Sequence, residues 1–168
     1  IDNISFHWQK EGGDIVIEKT PEEKKTILTS ELGKWITGMV KAGGENITIW
    51  DAICEPLDDT NDAKTFKWAE YLGDKEYART AVKIARESES EIKLFIGNSF
   101  NQYNDIVSSI DKLVAMVNEW QEDNVTVIDG YNIRLQAIYS ENADELEASK
   151  KQITKMLEQL AATGKAVR

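Results

Sequence analysis

The chain has 168 residues, of which 41% are apolar and 30% charged, the composition of a water-soluble globular domain with a core of its own. A net charge of -10 without clustered Lys and Arg argues against a nucleic-acid partner. One cysteine excludes an internal disulfide and a cysteine-rich zinc site, and no apolar run reaches membrane-spanning length, so neither a metal, a cofactor nor a membrane span is expected.

In the opening stretch "IDNISFHW", Ile4, Phe6 and Trp8 follow the two-residue period of a strand, and "DIVIEK" offers a second extended piece after Gly12 and Gly13. No charged-then-apolar leader precedes them, and the opening reads as the middle of a longer element, so a mature or excised segment is expected. Thr20, Pro21 and Glu23 form a helix start with a capping box. Ile27, Leu28, Leu32, Trp35, Ile36 and Met39 then recur at helical spacing up to Gly43-Gly44. "NITIWDAIC" is a β-branched strand, expected near 47–54. A second helix is expected from about Lys75 to Glu87, with Tyr77, Ala81, Ile84 and Ala85 on one face. "IKLFIG" (92–97) is apolar on both faces, as a strand inside a parallel sheet should be. A third helix carries Ile106, Ile110, Leu113, Val117 and Trp120, and "GYNIRLQAIY" supplies a strand near 131–138. A fourth helix, Asn142 to Ala162, has Leu146, Ile153, Leu157 and Leu160 as its stripe, and "KAVR" opens a further strand.

This alternation predicts an α/β fold with three parallel strands and four helices, joined by right-handed crossovers. Three strands leave both sheet edges uncovered, so an incomplete barrel explains the pattern better than a complete doubly wound domain. No glycine-rich phosphate loop follows a strand, which weakens a nucleotide-binding reading.

Catalytic residues of such folds sit at the carboxyl ends of strands. Three ends are legible: Cys54-Glu55-Pro56, Gly97-Asn98-Ser99, and Gln136-Ala137-Ile138-Tyr139. Together they offer a carboxylate to protonate a leaving oxygen, and amides, hydroxyls and a phenol to bind a polyhydroxylated ligand. A second reading stands beside this one: Glu-Pro after a strand is also an ordinary solvated loop, and strand-end amides also bond stray backbone groups.

"ITIWDAICEPLDD" resembles the acid/base strand of glycoside hydrolase family 10, the endo-xylanase family, whose pattern is W-D-V-V-N-E. The likeness continues through "FKWAEYLGDKEYARTAVKIARESESEIKLFI" and "VIDGYNIRLQAIY", the latter similar to a sixth strand D-G-I-G-x-Q-x-H, and into "LAATGKAVR". The resemblance covers about 20–168 and implies a partial (β/α)8 TIM barrel, a retaining action on β-1,4-xylan or a similar polysaccharide, and a secreted, periplasmic or cell-surface setting. It implies Glu55 as acid/base, with Asn98, Gln136, Tyr139, Trp50 and Cys54 as substrate-binding residues. Residues 1–19 look instead like a strand and linker closing a carbohydrate-binding β-sandwich, a module that some members from gut Bacteroidetes carry inserted in the barrel.

The departures matter as well. The family's Asn before the acid/base is Cys54, a weak hydrogen-bonding group, and its sixth-strand His falls on Ile138. Its Asn-Asp-Tyr-Asn becomes "GNSFN", and His7, the only histidine, lies outside every motif. The family's nucleophile is a Glu on the seventh strand, which the resemblance sets past Arg168, so the chain alone is expected to be inactive. The alternative is a diverged, non-catalytic glycan-binding or scaffold protein.

Overall fold

The computed structural model describes residues 5–10, 13–57, 66–100, 105–136 and 140–168. The chain begins with an antiparallel hairpin of β1 (Ser5–Lys10) and β2 (Gly13–Glu18), in which Phe6 pairs with Ile17 and Lys10 with Gly13. It continues through α1 (Pro21–Gly43), β3 (Ile49–Cys54), α2 (Trp68–Leu72), α3 (Glu76–Ser88), β4 (Lys93–Phe100), α4 (Ile106–Trp120), β5 (Gly130–Leu135), α5 (Ala143–Ala162) and β6 (Ala166–Val167). The four later strands form one parallel sheet in the order β3-β4-β5-β6, each joined to the next by a helical crossover. This is a segment of a (β/α)8 barrel: β3, β4 and β5 are the three strands expected, and β6 is the further strand that "KAVR" opens.

The helix starts follow from local chemistry. Thr20 Oγ1 accepts from the Glu23 N–H while the Glu23 carboxylate accepts from the Thr20 N–H, closing the expected capping box. Asn142 caps α5 by accepting from the Asp144 and Glu145 N–H groups. Both caps satisfy donors that a helix start leaves orphaned, so both helices begin where their sequences dictate.

The core lies between the sheet and its helices. Ile106, Ile110, Leu113, Val117 and Trp120, the whole predicted stripe of α4, are buried there with Leu94, Ile96 and Tyr131 from the strands. Burying a side chain of this size contributes roughly 1.5–3 kcal/mol, so this stripe is a principal clamp on the sheet. In β4 every residue from Leu94 to Asn98 is buried, as its two-sided apolar pattern requires.

Two apolar stripes need correction, and one helix was not anticipated. In α5, Met156 is buried and Leu157 is half-exposed, because the face toward α4 and β6 runs through Ile153, Met156 and Leu160. In α1, Trp35 is 68% exposed and Met39 is also exposed, although both sit at helical spacing with buried Leu28. They overhang β3, which pairs on one side only among the described residues, so no strand lies beneath them there. The short α2 escapes a periodicity reading: it is five residues long, lacks a side-chain cap, and ends at Gly73, whose φ of 98° suits glycine.

Candidate active site

The carboxyl ends of β3, β4 and β5 place Glu55, Asn98 and Gln136 along one edge of the sheet, at the ends of three adjacent strands. Alternation of side chains then divides β4 between two faces. Leu94, Ile96 and Phe100 enter the helix-side core, so Phe95, Gly97 and Ser99 face the opposite side, the interior of the barrel curve. Their register partners on β5 are Gly130, Asn132 and Arg134.

A β-bulge interrupts β3 between Asp51 and Ile53. The extra residue shifts the alternation, so that both Asp51 and Cys54 approach Gly97: a Cβ on Gly97 would lie 3.4 Å from the Asp51 carboxylate and 3.6 Å from the Cys54 sulfur. Asn132 Nδ2 reaches across from β5 and donates to Asp51 Oδ2 at 2.7 Å. A polar layer therefore spans three strands over the hydrogen left by Gly97. Burial, then the negative charges of Asp51 and Glu55, push the Cys54 thiol up, which favours the neutral thiol over the thiolate.

Glu55 follows directly. Its backbone has φ of 51°, the left-handed region, which costs a non-glycine residue ~1–2 kcal/mol. The conformation is held at both ends. The Glu55 N–H donates to Gly97 O at 2.8 Å; the Ser99 N–H donates to Oε2 at 2.9 Å, and the Ser99 hydroxyl to Oε1 at 2.6 Å. Hydrogen bonds to a charged group are worth ~1.5–3 kcal/mol when shielded and less at an exposed site, enough in sum to offset the backbone strain.

The other residues expected at the site are distributed as follows. Asn98 is buried, on the helix-side face with Leu94 and Ile96 and not on the barrel-interior face expected of a sugar-binding residue; its amide donates to Ser99 O at 3.2 Å, and its Oδ1 has no partner among the described residues. Gln136 is exposed, and its backbone N–H donates to Phe100 O at 3.1 Å. Trp50 Nε1 donates to Ile47 O at 3.0 Å, and its ring lies so close to Gly43 that a Cβ there would sit 2.6 Å away. Tyr139 and Ile138 lie outside the described residues, as do Asp58 and Asp59. The structure thus joins Glu55 to Cys54 through their shared approach to β4, sets Ser99 of the Gly97-Asn98-Ser99 end against Glu55, and brings in Asp51 and Asn132, which the motifs do not single out.

A cavity of about 710 Å³ runs along the free side of β3, between α1 and α2. Trp35, Trp50, Phe66 and Trp68 give it aromatic walls, and Cys54 and Glu55 stand on its lining; Asn98 and Gln136 do not. Among the described residues no group of three His, Cys, Asp or Glu is set to hold a metal ion, and no helix is long and apolar enough to cross a membrane.

Residues 5–168 match the sequence profile of Glycosyl hydrolase family 10. Endo-1,4-beta-xylanase A of Thermoanaerobacterium saccharolyticum is 30% identical over 141 residues, 83% of this chain and 11% of that protein. Endo-1,4-beta-xylanase A of Halalkalibacterium halodurans is 28% identical over 127 residues, 73% of this chain and 31% of that protein. Among solved structures, xylanase B from Clostridium stercorarium superposes with a TM-score of 0.67 at 22% identity, over 89% of this chain and 43% of that one. An endo-1,4-beta-xylanase from Caldicellulosiruptor owensensis gives 0.65 at 23% identity, over 95% of this chain and 44% of that one. The chain therefore spans less than half the length of each of these relatives.

Proposed function

This chain belongs to glycosyl hydrolase family 10, and from that premise we propose that it supplies the acid/base side of a retaining endo-xylanase site, with Glu55 as the proton donor. The observation that carries the reading is the held geometry of Glu55. A strained backbone at a strand's carboxyl end, with both carboxylate oxygens engaged, supports a side chain kept for chemistry rather than for packing.

In this mechanism Glu55 gives its proton to the glycosidic oxygen as the bond to the sugar breaks. It then takes a proton from the water that releases the glycosyl group from a second carboxylate, which a retaining site holds ~5–5.5 Å from the first. The reading assigns that nucleophile to the strand β6 opens, past Arg168, and so expects the 168-residue chain alone to release no sugar from xylan. Gln136, Tyr139, Trp50 and Cys54 belong to the sugar-binding surround in this reading, from which the burial of Asn98 on the helix-side face removes that residue, and the hairpin β1–β2 belongs to the end of an inserted carbohydrate-binding module. A cell-surface, periplasmic or secreted setting follows from a polymeric substrate.

A second reading, a glycan-binding protein that keeps the barrel without the reaction, is favoured by Cys54. A neutral thiol beside Glu55 is a poor partner for a sugar hydroxyl. Incubation of the purified chain with xylo-oligosaccharides, with Glu55→Gln as control, tests the proposal. No turnover by the chain alone is expected. Turnover that vanishes in Glu55→Gln would keep Glu55 as the acid and overturn the placement of the nucleophile past Arg168. Turnover that persists in Glu55→Gln would overturn the role of Glu55.

A further inference from the structure

We propose that Ser99 is the positioning residue for the Glu55 carboxyl, dividing its two oxygens so that Oε1, against the Ser99 hydroxyl, is the one that carries the proton. The inference rests on the reading of Glu55 as acid/base. The Ser99 N–H meets Oε2 at 2.9 Å and the Ser99 hydroxyl meets Oε1 at 2.6 Å. A backbone N–H only donates, so Oε2 remains an acceptor in either protonation state. A hydroxyl both donates and accepts, and its hydrogen rotates. Ser99 Oγ therefore gives a hydrogen bond to Oε1 while the carboxyl is ionised, and takes one from Oε1 when the carboxyl is protonated.

The two protonation states thus share one arrangement of heavy atoms. A carboxyl that acts as acid in one step and base in the next keeps its place through both. The main chain is pinned to the same stretch of β4, through the Glu55 N–H on Gly97 O at 2.8 Å. Residues 97–99 are in this sense a template for Glu55. The titratable and charged neighbours are Asp51 and Cys54 on β3, Arg134 opposite Ser99 on β5, and Lys67 and Glu70 from the α2 wall of the cavity.

The test follows the amide proton of residue 99 by NMR through acid pH, in the wild-type chain and in Glu55→Gln, Ser99→Ala and Ser99→Thr. In wild type it shifts upfield in a single transition, because a neutral carboxyl is a weaker acceptor than a carboxylate. The transition is absent in Glu55→Gln. In Ser99→Ala its amplitude falls by about twofold, since a carboxyl held by one bond samples other rotamers, and Ser99→Thr restores it. Full amplitude in Ser99→Ala overturns the proposal, and so does a transition surviving in Glu55→Gln, which would belong to Asp51. Side-chain coupling constants of Glu55 in wild type serve independently of any variant: a single rotamer is expected, and averaged couplings overturn the clamp. None of these readouts needs turnover. Loss of the clamp therefore refutes the role of Ser99 alone, whereas the role of Glu55 is refuted separately, by hydrolysis that persists in Glu55→Gln.

Discussion

Arg86 on α3 and Asp129 at the entrance to β5 form an ion pair at the amino-terminal end of the sheet, the end opposite Glu55. The guanidinium also donates to the carbonyls of Ile92 and Val127, and Asp129 Oδ2 accepts from the Leu94 N–H at 2.9 Å. One pair thus ties α3 to the entrances of β4 and β5. Arg86→Ala and Asp129→Ala are each expected to lower stability by ~2–3 kcal/mol in urea unfolding, below the ~3–5 kcal/mol of a fully buried pair because both side chains keep some exposure. Arg86→Lys should recover little, since one ammonium cannot serve acceptors spread over the fork of a guanidinium. Burial pushes the Asp129 carboxyl up, but the Leu94 N–H, Arg86 and Lys93 outweigh it and hold it below its ordinary 3.8. The folded state thus binds this proton less tightly than the unfolded state. Its contribution is complete above that value and is lost as pH falls below it, so Asp129→Asn should flatten the acid limb of the stability curve.

Two glycines on facing strands are expected to behave differently. A Cβ on Gly130 would lie 2.4 Å from Ala166 O and 2.4 Å from the Phe95 ring, so the β5–β6 ladder has to part to admit it. On Gly97 the Cβ meets side-chain atoms at 3.4 Å or more, which is ordinary contact. Gly130→Ala should cost ~3 kcal/mol and Gly97→Ala less than ~1 kcal/mol, read as shifts in the denaturation midpoint.

Tyr131 is fully buried, its hydroxyl has no partner among the described residues, and burial pushes it from 10.0 up to about 12. Tyr131→Phe should leave stability at neutral pH unchanged or raise it by ~1 kcal/mol, because a buried donor without a partner is removed. The folded chain holds the phenolic proton more tightly than the unfolded chain does. Wild-type stability is therefore complete below pH 10 and falls as pH rises from there toward about 12. The Phe variant should lack that alkaline loss, and thermal unfolding across this range measures it.

Cys54 is exposed, yet burial of its thiol and the charges of Asp51 and Glu55 resist formation of the thiolate. Alkylation by iodoacetamide at pH 8 should be slower in the folded chain than in the same chain in denaturant, and Asp51→Asn should speed it. Equal rates in folded wild type and Asp51→Asn would remove Asp51 as a cause.

The elements that local rules govern were the most legible. The Thr20 capping box and the α4 stripe follow from fixed offsets along one helix, and both stand as expected. Trp35, Met39 and Leu157 show where periodicity stops: it finds an apolar side chain's neighbours on its own helix, not whether another element covers it. At the candidate site, the place of Glu55 at a strand's carboxyl end was legible because a β-branched run ends just before a proline. Its partner was not, for two reasons. The amide of Asn98 advertises sugar binding more loudly than the hydroxyl of Ser99, while the pleat of β4 turns Ser99 toward the barrel interior. The bulge in β3 also shifts the alternation, so that Asp51 and Cys54 converge on Gly97, which no simple two-residue count anticipates. Asp129 of "DG" opens the stretch that resembles the sixth strand, and the fold uses it at the amino-terminal end of the sheet to hold strands together.

Under the acid/base role proposed for Glu55, its left-handed backbone sets foldability against chemistry at a single position. Selection for folding alone would favour Gly, or Asn, at residue 55, since either adopts a φ of 51° with little penalty. A lineage released from the need for a carboxyl here would have an easy route to greater stability, through one substitution that also erases the proposed proton donor. The strain therefore works as an evolutionary ratchet: once Glu55 is exchanged for glycine, regaining it means accepting a less stable protein before any activity returns.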